Sequence, residues 1–374
     1  MKPMRIVVKV GSSSLTDSGS GAIAADKLRG IVDGIGAVLQ FPKHEVVLVS
    51  SGAVAAGVGK LGWRRPIRTV PEKQAAAAVG QGILIDAYER LFGLHGITIG
   101  QLLLTRSDIE ERRRYIHIRN TIETLLRHGV VPVVNENDTV AVEEIRFGDN
   151  DTLAALVALF TGADMLILLT DIDGMYSADP RSDPSAQLLP EIRTIDAPLH
   201  HLAGGQGSAQ GTGGMRTKLV AAEIATSSGI ETVVAASHVP DVLQRIVKGE
   251  RLGTRFMAQK SRGAKKSWVA YGSRVEGSIV MDDGAVHALA DAGGSLLVPG
   301  LESIQGEFEE GAIVELRSVA GCAIGKGVVN FSARELRELL QRKADGERFR
   351  GLPEVVHCDN LALSEPRHSG RRVR

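Results

Sequence analysis

Short, nearly continuous apolar runs recur along the first two thirds of the chain and restrict its architecture more than any other feature. They are "RIVVKV" from Arg5, "EVVLVS" from Glu45, "ITIGQLLLT" from Ile97, "VVPVVNE" from Val130, "MLILLTD" from Met165 and "ETVVAA" from Glu231. Each has the length and apolar density of a strand buried on both faces. Helical patterns lie between them, over residues 24–39, 73–92, 115–127, 152–161 and 216–228. Strand and helix alternating in this way predict an α/β fold, a three-layer, doubly wound arrangement with a mainly parallel sheet between helices. Such sheets bind ligands beyond the carboxyl ends of their strands, so the polar residues that follow each run are the ones to inspect.

At 374 residues the chain has room for two domains. The pattern changes after residue 258. "AQKSRGAKKS" is polar and basic without apolar periodicity, which predicts a linker over 259–267 after a first domain of 1–258. From Trp268 the runs shorten to "GSIVMD", "SLLVPG", "AIVELRS", "CAIGKGVV" and "EVVHCD", divided by glycine-rich turns, with one helical stretch at 333–341. A small β-barrel or sandwich is expected over 268–363, and a disordered basic tail over 364–374.

Forty-four basic residues balance forty-four acidic ones, so no overall field draws the chain to nucleic acid or to a membrane, and any anion site must be local. Two cysteines, Cys322 and Cys358, could make one bridge at most and suit a reducing compartment. The basic start and apolar run of "MKPMRIVVKVG" do not make a signal peptide, because Lys9 interrupts the run and no cleavage site follows. No apolar stretch nears the roughly eighteen residues of a membrane helix. A soluble, cytoplasmic protein is expected.

Polar residues gather at the strand ends. "VVKVGSSSL" places Lys9 inside an apolar strand with Gly11 and Ser12 beyond it; the lysine either meets an anion or carboxylate at the strand end or sits on an edge strand in solvent. "VSSGAVAAG" puts Ser51 and Gly52 at the opening of a helix, as an anion-binding turn or with Ser51 as an ordinary N-cap. "NENDTV" and "FGDNDTLAAL" concentrate Glu136, Asp138, Asp149 and Asp151 beside Asn137 and Asn150. Asp151 as N-cap of the next helix and a turn at Asn137-Asp138 account for two of these residues, not for the density. Such carboxylates can orient lysines, receive an ammonium group or hold magnesium through water. "LLTDIDGMYSADPR" leaves Thr170 and Asp171 at another strand end. "GTGGMRTK", with Thr212, Gly213, Gly214, Met215, Arg216, Thr217 and Lys218, has the glycines of a phosphate cradle but not the Gly-Lys-Ser/Thr order of a P-loop. "GVGKLG" at 57–62 formally fits the dinucleotide fingerprint, yet it lies well past the strand end and no strand-helix junction follows it. No His/Cys/Asp spacing matches a zinc site.

In their order, "VVKVGSSSL", "VSSGAVAAG", "VVPVVNENDTV", "FGDNDTLAAL", "LLTDIDGMYSADPR" and "GTGGMRTK" resemble the amino-acid kinase family, and the two-part layout resembles members that carry a C-terminal PUA domain. The resemblance implies the amino-acid kinase fold and ATP-dependent phosphorylation of the γ-carboxylate of L-glutamate to L-glutamyl 5-phosphate, the first step of proline biosynthesis. By that likeness Lys9 and Lys218 contact the transferring phosphate and Asp151 holds them in place. Ser51, Gly52, Asp138 and Asn150 bind glutamate. Lys9, Gly11, Ser12, Thr170, Asp171 and residues 212–218 bind ATP, with Mg2+ carried mainly on its phosphates and no protein metal site. Proline as feedback inhibitor, a homo-oligomer (dimer or tetramer) and hand-off of the acyl phosphate to glutamyl phosphate reductase are implied by the same likeness. Cys358 stands where the family more often has arginine. PUA domains often bind RNA, but the neutral charge and the lack of an aromatic-basic pattern in residues 268–363 speak against it here.

Overall fold

The structure, a computed structural model, describes residues 2–17, 23–40, 44–63, 67, 69–141, 149–180, 183–203, 214–259, 263–290, 293–347, 349 and 354–363. It divides into two compact units, Met1–Ser261 and Arg262–Arg374. The expected basic tail at 364–374 lies outside the described residues. No described helix is long and apolar enough to cross a membrane.

In the first unit the chain runs β1 (Arg5–Val10), α1 (Ala25–Gln40), β2 (Glu45–Ser50), α2 (Ala53–Leu61), α3 (Val70–Leu94), β3 (Ile99–Leu104), α4 (Arg106–Glu110), α5 (Arg112–Arg127) and β4 (Val131–Glu136). It continues through α6 (Asn150–Thr161), β5 (Met165–Thr170), β6 (Glu191–Ile192), α7 (Ala197–Ala203), α8 (Met215–Ser227), β7 (Glu231–Ala236), α9 (Val242–Val247) and β8 (Thr254–Phe256). The eight strands order as β3-β4-β2-β1-β5-β7-β8-β6, and all pairings are parallel except that of β7 with β8.

Side chains alternate across a strand, so β1 serves two layers at once. Ile6, Val8 and Val10 join one core with Leu28, Ile31 and Ile35 of α1, Leu84, Tyr88 and Phe92 of α3, and Val242 and Ile246 of α9. Val7 and Lys9 face the other way, where α6 packs on β1 and α8 packs on α6. Because β1 is flanked by β2 and β5, Lys9 is not on an edge: only 5% of it is exposed, and the edge-strand alternative is excluded.

Local chemistry explains several helix starts. Thr69 and Glu72 form a reciprocal capping box at α3. Asp149, not Asp151, caps α6, its carboxylate accepting from Thr152 N (2.9 Å). Nor is Ser51 a cap: Gly52 holds that place before α2 at φ 106°, a left-handed conformation that favours glycine. "GVGKLG" forms the second half of α2 and its C-terminal turn, so it cannot seat a pyrophosphate.

The second unit begins with α10 (Ala264–Ser267) running into a π turn at Trp268–Gly272, so residues 264–267 of the expected linker are helical. Next come β9 (Gly277–Met281), α11 (Asp283–Ala290), β10 (Leu301–Gln305), β11 (Ile313–Ser318), β12 (Ala323–Val328), α12 (Ala333–Ala344) and β13 (Leu361–Leu363), whose strands form one sheet in the order β10-β9-β11-β12-β13. "SLLVPG" and "EVVHCD" are not strands; they meet through the single bridge Leu296–Val356, and β10 and β13 follow them. Both cysteines are free.

Candidate active site

The carboxyl ends of β1, β2, β4 and β5 open toward the first turns of α6 and α8. Asp151, in the first turn of α6, is fully buried. Its Oδ1 lies 2.5 Å from Lys9 Nζ of β1, and its Oδ2 lies 3.2 Å from Lys218 Nζ of α8. The Thr217 hydroxyl donates to the same Oδ2 (2.8 Å). Burial works against the Asp151 carboxylate, but the charges of Lys9 and Lys218 and the hydrogen bonds from Lys9 and Thr217 outweigh it and hold its pKa below the ordinary value. Two ammonium groups share one carboxylate in this corner under little solvent, with Asp149 close enough to feel both Lys9 and Asp151. The corner suits an anion.

Around this triad stand the other residues singled out from the sequence. Gly11 and Ser12 form the turn beyond β1, where Gly11 C=O accepts from Ser14 N (3.1 Å). Thr170 is buried at the end of β5 and donates to Asp171 Oδ1 (3.1 Å), while its carbonyl accepts from Ser237 N (2.7 Å). Gly214 caps α8, followed by Met215 and the exposed Arg216; Thr212 and Gly213 lie outside the described residues. A Cβ on Gly214 would meet nothing within 4 Å, and its φ of −79° suits any residue, so the fold itself does not demand glycine there. A group that approaches the backbone closely would.

On the other side of β1 a polar network joins β2, β4 and α6. Asn150 Nδ2 shares its two hydrogens among three acceptors, Ser51 Oγ (2.9 Å), Asn135 Oδ1 (2.8 Å) and Ser50 O (3.2 Å). Asn135 Oδ1 also accepts from Glu136 N (2.9 Å), and Asn135 Nδ2 donates to Gln81 Oε1 of α3 (2.9 Å). Asp138 pairs with Lys73 of α3 (3.0 Å), and burial lifts its carboxyl to about 6. Asp149 is lifted to about 6 as well, by burial and then by the neighbouring Asp151 charge. Ser51 and Asn150 meet directly, while Asp138 is held by Lys73. Asn135, Gln81 and Tyr88 were not assigned a role. Asn135 lies in the quoted "NEND" motif, but nothing in the sequence marks Gln81 or Tyr88 among the polar and core positions of a long helix.

The profile of the amino acid kinase family matches residues 4–236, and that of the PUA domain matches residues 277–346. The chain belongs to the amino acid kinase family. It is 47% identical over 363 residues to the protein named glutamate 5-kinase in Carboxydothermus hydrogenoformans, covering 96% of this chain and 97% of that one. It is 48% identical over 364 residues to the glutamate 5-kinase of a Synechococcus strain, covering 96% and 98%. Among solved structures, UMP kinase from Ureaplasma parvum superimposes on 69% of this chain and 100% of its own length, with a TM-score of 0.49 and 16% identity.

Proposed function

We propose that the chain transfers the γ-phosphoryl group of ATP to the γ-carboxylate of L-glutamate, giving L-glutamyl 5-phosphate, the committed step toward proline. The observation that carries this reading is the buried Lys9–Asp151–Lys218 triad beside the Ser51–Asn150–Asn135 network. The full-length relatives named glutamate 5-kinase support it.

The chemistry suits these residue types. A carboxylate acceptor is ionised at neutral pH, so the site needs no general base, and the obstacle is repulsion between anions. Lys9 and Lys218 neutralise charge on the group in transfer, and Asp151 keeps both ammonium groups in place. Gly11, Ser12, Thr170, Asp171 and residues 212–218 hold ATP. Magnesium would neutralise phosphate charge when it arrives with ATP.

On the acceptor side, Ser51 Oγ accepts from Asn150 and keeps its own hydrogen to give, which with the Gly52 N–H suits a carboxylate. Asn150 Oδ1, which no described residue uses, and the Asp138 and Asp149 carboxylates suit an ammonium group. Free proline carries a carboxylate and an ammonium on one carbon, so feedback inhibition at this end of the cleft follows from the same donors and acceptors. A dimer or tetramer, a cytoplasmic location and direct hand-off of the labile acyl phosphate to a reductase complete the proposal. Trapping the product with hydroxylamine tests it: with ATP, magnesium and L-glutamate the enzyme gives γ-glutamyl hydroxamate, and aspartate and carbamate in parallel give none. Turnover with another acceptor alone would refute the glutamate assignment and leave the kinase fold standing.

A further inference from the structure

Helix α3 touches the acceptor corner at residues spaced seven or eight apart, and such residues fall on one face of a helix. Lys73 pairs with Asp138, Gln81 accepts from Asn135, and Tyr88 shares a 2.8 Å hydrogen bond with Ser50. The donor-acceptor inventory of two of these contacts has one solution. Ser50 Oγ lies 3.0 Å from Ser51 O, a carbonyl that can only accept. The Ser50 hydrogen therefore goes to Ser51 O, and Tyr88 is the donor to Ser50. The peptide plane that carries Ser51 C=O carries the Gly52 N–H on its opposite edge, so the anchored carbonyl fixes the direction of that N–H.

The second chain of contacts is equally determined. The Glu136 N–H fixes Asn135 Oδ1, which leaves Asn135 Nδ2 in need of an acceptor, and Gln81 Oε1 is that acceptor. Asn135 Oδ1 and Ser50 O then both require Nδ2 of Asn150, so its Oδ1 is left over as an acceptor.

We infer that Tyr88 and Gln81 are positioning residues for the phosphoryl acceptor. Through Ser50 and Asn135 they set which atoms of Ser51, Gly52 and Asn150 donate and which accept. No atom of either residue needs to touch the acceptor. Tyr88 is fully buried and Gln81 is half-buried, so α3 reads the site from behind. The inference rests on the acceptor lying at Ser51 and Asn150, as in the function proposed above.

Steady-state kinetics of the full chain test it, with Tyr88→Phe, Ser50→Ala, their double variant, Gln81→Leu and Gln81→Glu. KM for glutamate should rise about three- to tenfold in Tyr88→Phe and Gln81→Leu, with kcat and the KM for ATP within about twofold of the parent. The double variant should be no worse than Ser50→Ala alone, because Tyr88 acts through Ser50. Gln81→Glu, which still accepts from Asn135, should recover most of the loss. Folded variants with unchanged KM for glutamate, or with KM for ATP rising equally, would overturn the inference. If the parent enzyme uses a different acceptor, the glutamate assignment falls, and the same comparison made with that acceptor decides the role of α3.

Discussion

Lys9 Nζ and Asp151 Oδ1 lie 2.5 Å apart in a place where Asp151 is fully buried and Lys9 nearly so. The remaining carboxylate oxygen is held by Lys218 and Thr217, so two cations share one carboxylate. Asp151→Asn takes from two buried ammonium groups the carboxylate that both contact. A stability loss of about 3 kcal/mol or more is expected, together with loss of turnover. Lys218→Ala leaves Lys9 on Asp151, so the variant should fold and yet lose about a hundredfold or more in kcat. Thermal melts and hydroxamate assays of the two variants separate these outcomes, and full activity in Lys218→Ala would remove the lysine from the mechanism.

Asp149 gives stability an unusual pH dependence. Its carboxyl titrates near 6 in the folded chain, above the 3.8 ordinary for aspartate, so the folded state binds the proton more tightly. Its contribution is whole below about pH 4 and is lost as pH rises through 6. Asparagine caps a helix as well as aspartate does. Asp149→Asn should therefore melt higher than the parent at pH 7.5, by up to about 3 kcal/mol if the full shift is recovered, and the advantage should vanish near pH 4. The variant should also bind glutamate more weakly, since it gives up a carboxylate at the acceptor end.

Helices α2 and α3 cross so closely that side chains have no room between them. A Cβ on Gly57 would stand 1.8 Å from Ala76 O, and one on Gly80 would stand 1.8 Å from Ala53 O. Either Gly57→Ala or Gly80→Ala must push the helices apart, at a cost of about 1–3 kcal/mol or more. Because α2 begins at Gly52, KM for glutamate should rise in the surviving variant while KM for ATP stays level.

The opposite end of β1 offers a control. Arg5 donates to Glu45 (2.8 Å), Glu123 (2.9 Å) and the Thr161 carbonyl at the last turn of α6. Four residues of strand, roughly 13 Å, separate it from Lys9. Arg5→Met should lower the melting temperature by a few degrees, about 1–2 kcal/mol, and leave kcat/KM within about twofold.

The long parallel strands were legible because burial on both faces writes an unbroken apolar run, and β1, β2, β5 and β7 lie within the runs read from the sequence. β6 and β8, with two and three residues, are too short to show a period. The same signal misled at "SLLVPG" and "EVVHCD", where Val298, Val355 and Val356 are buried without a continuous ladder: an apolar run reports burial, and strand pairing only when partners exist. The residues alone named the triad members singly; their meeting on Asp151 was implied by the family resemblance, and the strand order shows how it is reached. Gln81 and Tyr88 stayed hidden because a helix face that holds a network is written in the same residues as one that merely packs.

The order of the sheet divides the cleft by stretch of chain as well as by place. On the side of β1 that holds β2, β4 and β3, every strand comes from one stretch of chain, residues 45–136; on the side that holds β5, β7, β8 and β6, from another, residues 165–256. An inherited exchange of the first stretch would replace Ser51, Gly52 and Gln81 while leaving Asp138, Asp149, Asn150 and the half assigned to ATP in place. The pivot at β1, with its single lysine, is the part such a lineage cannot trade away.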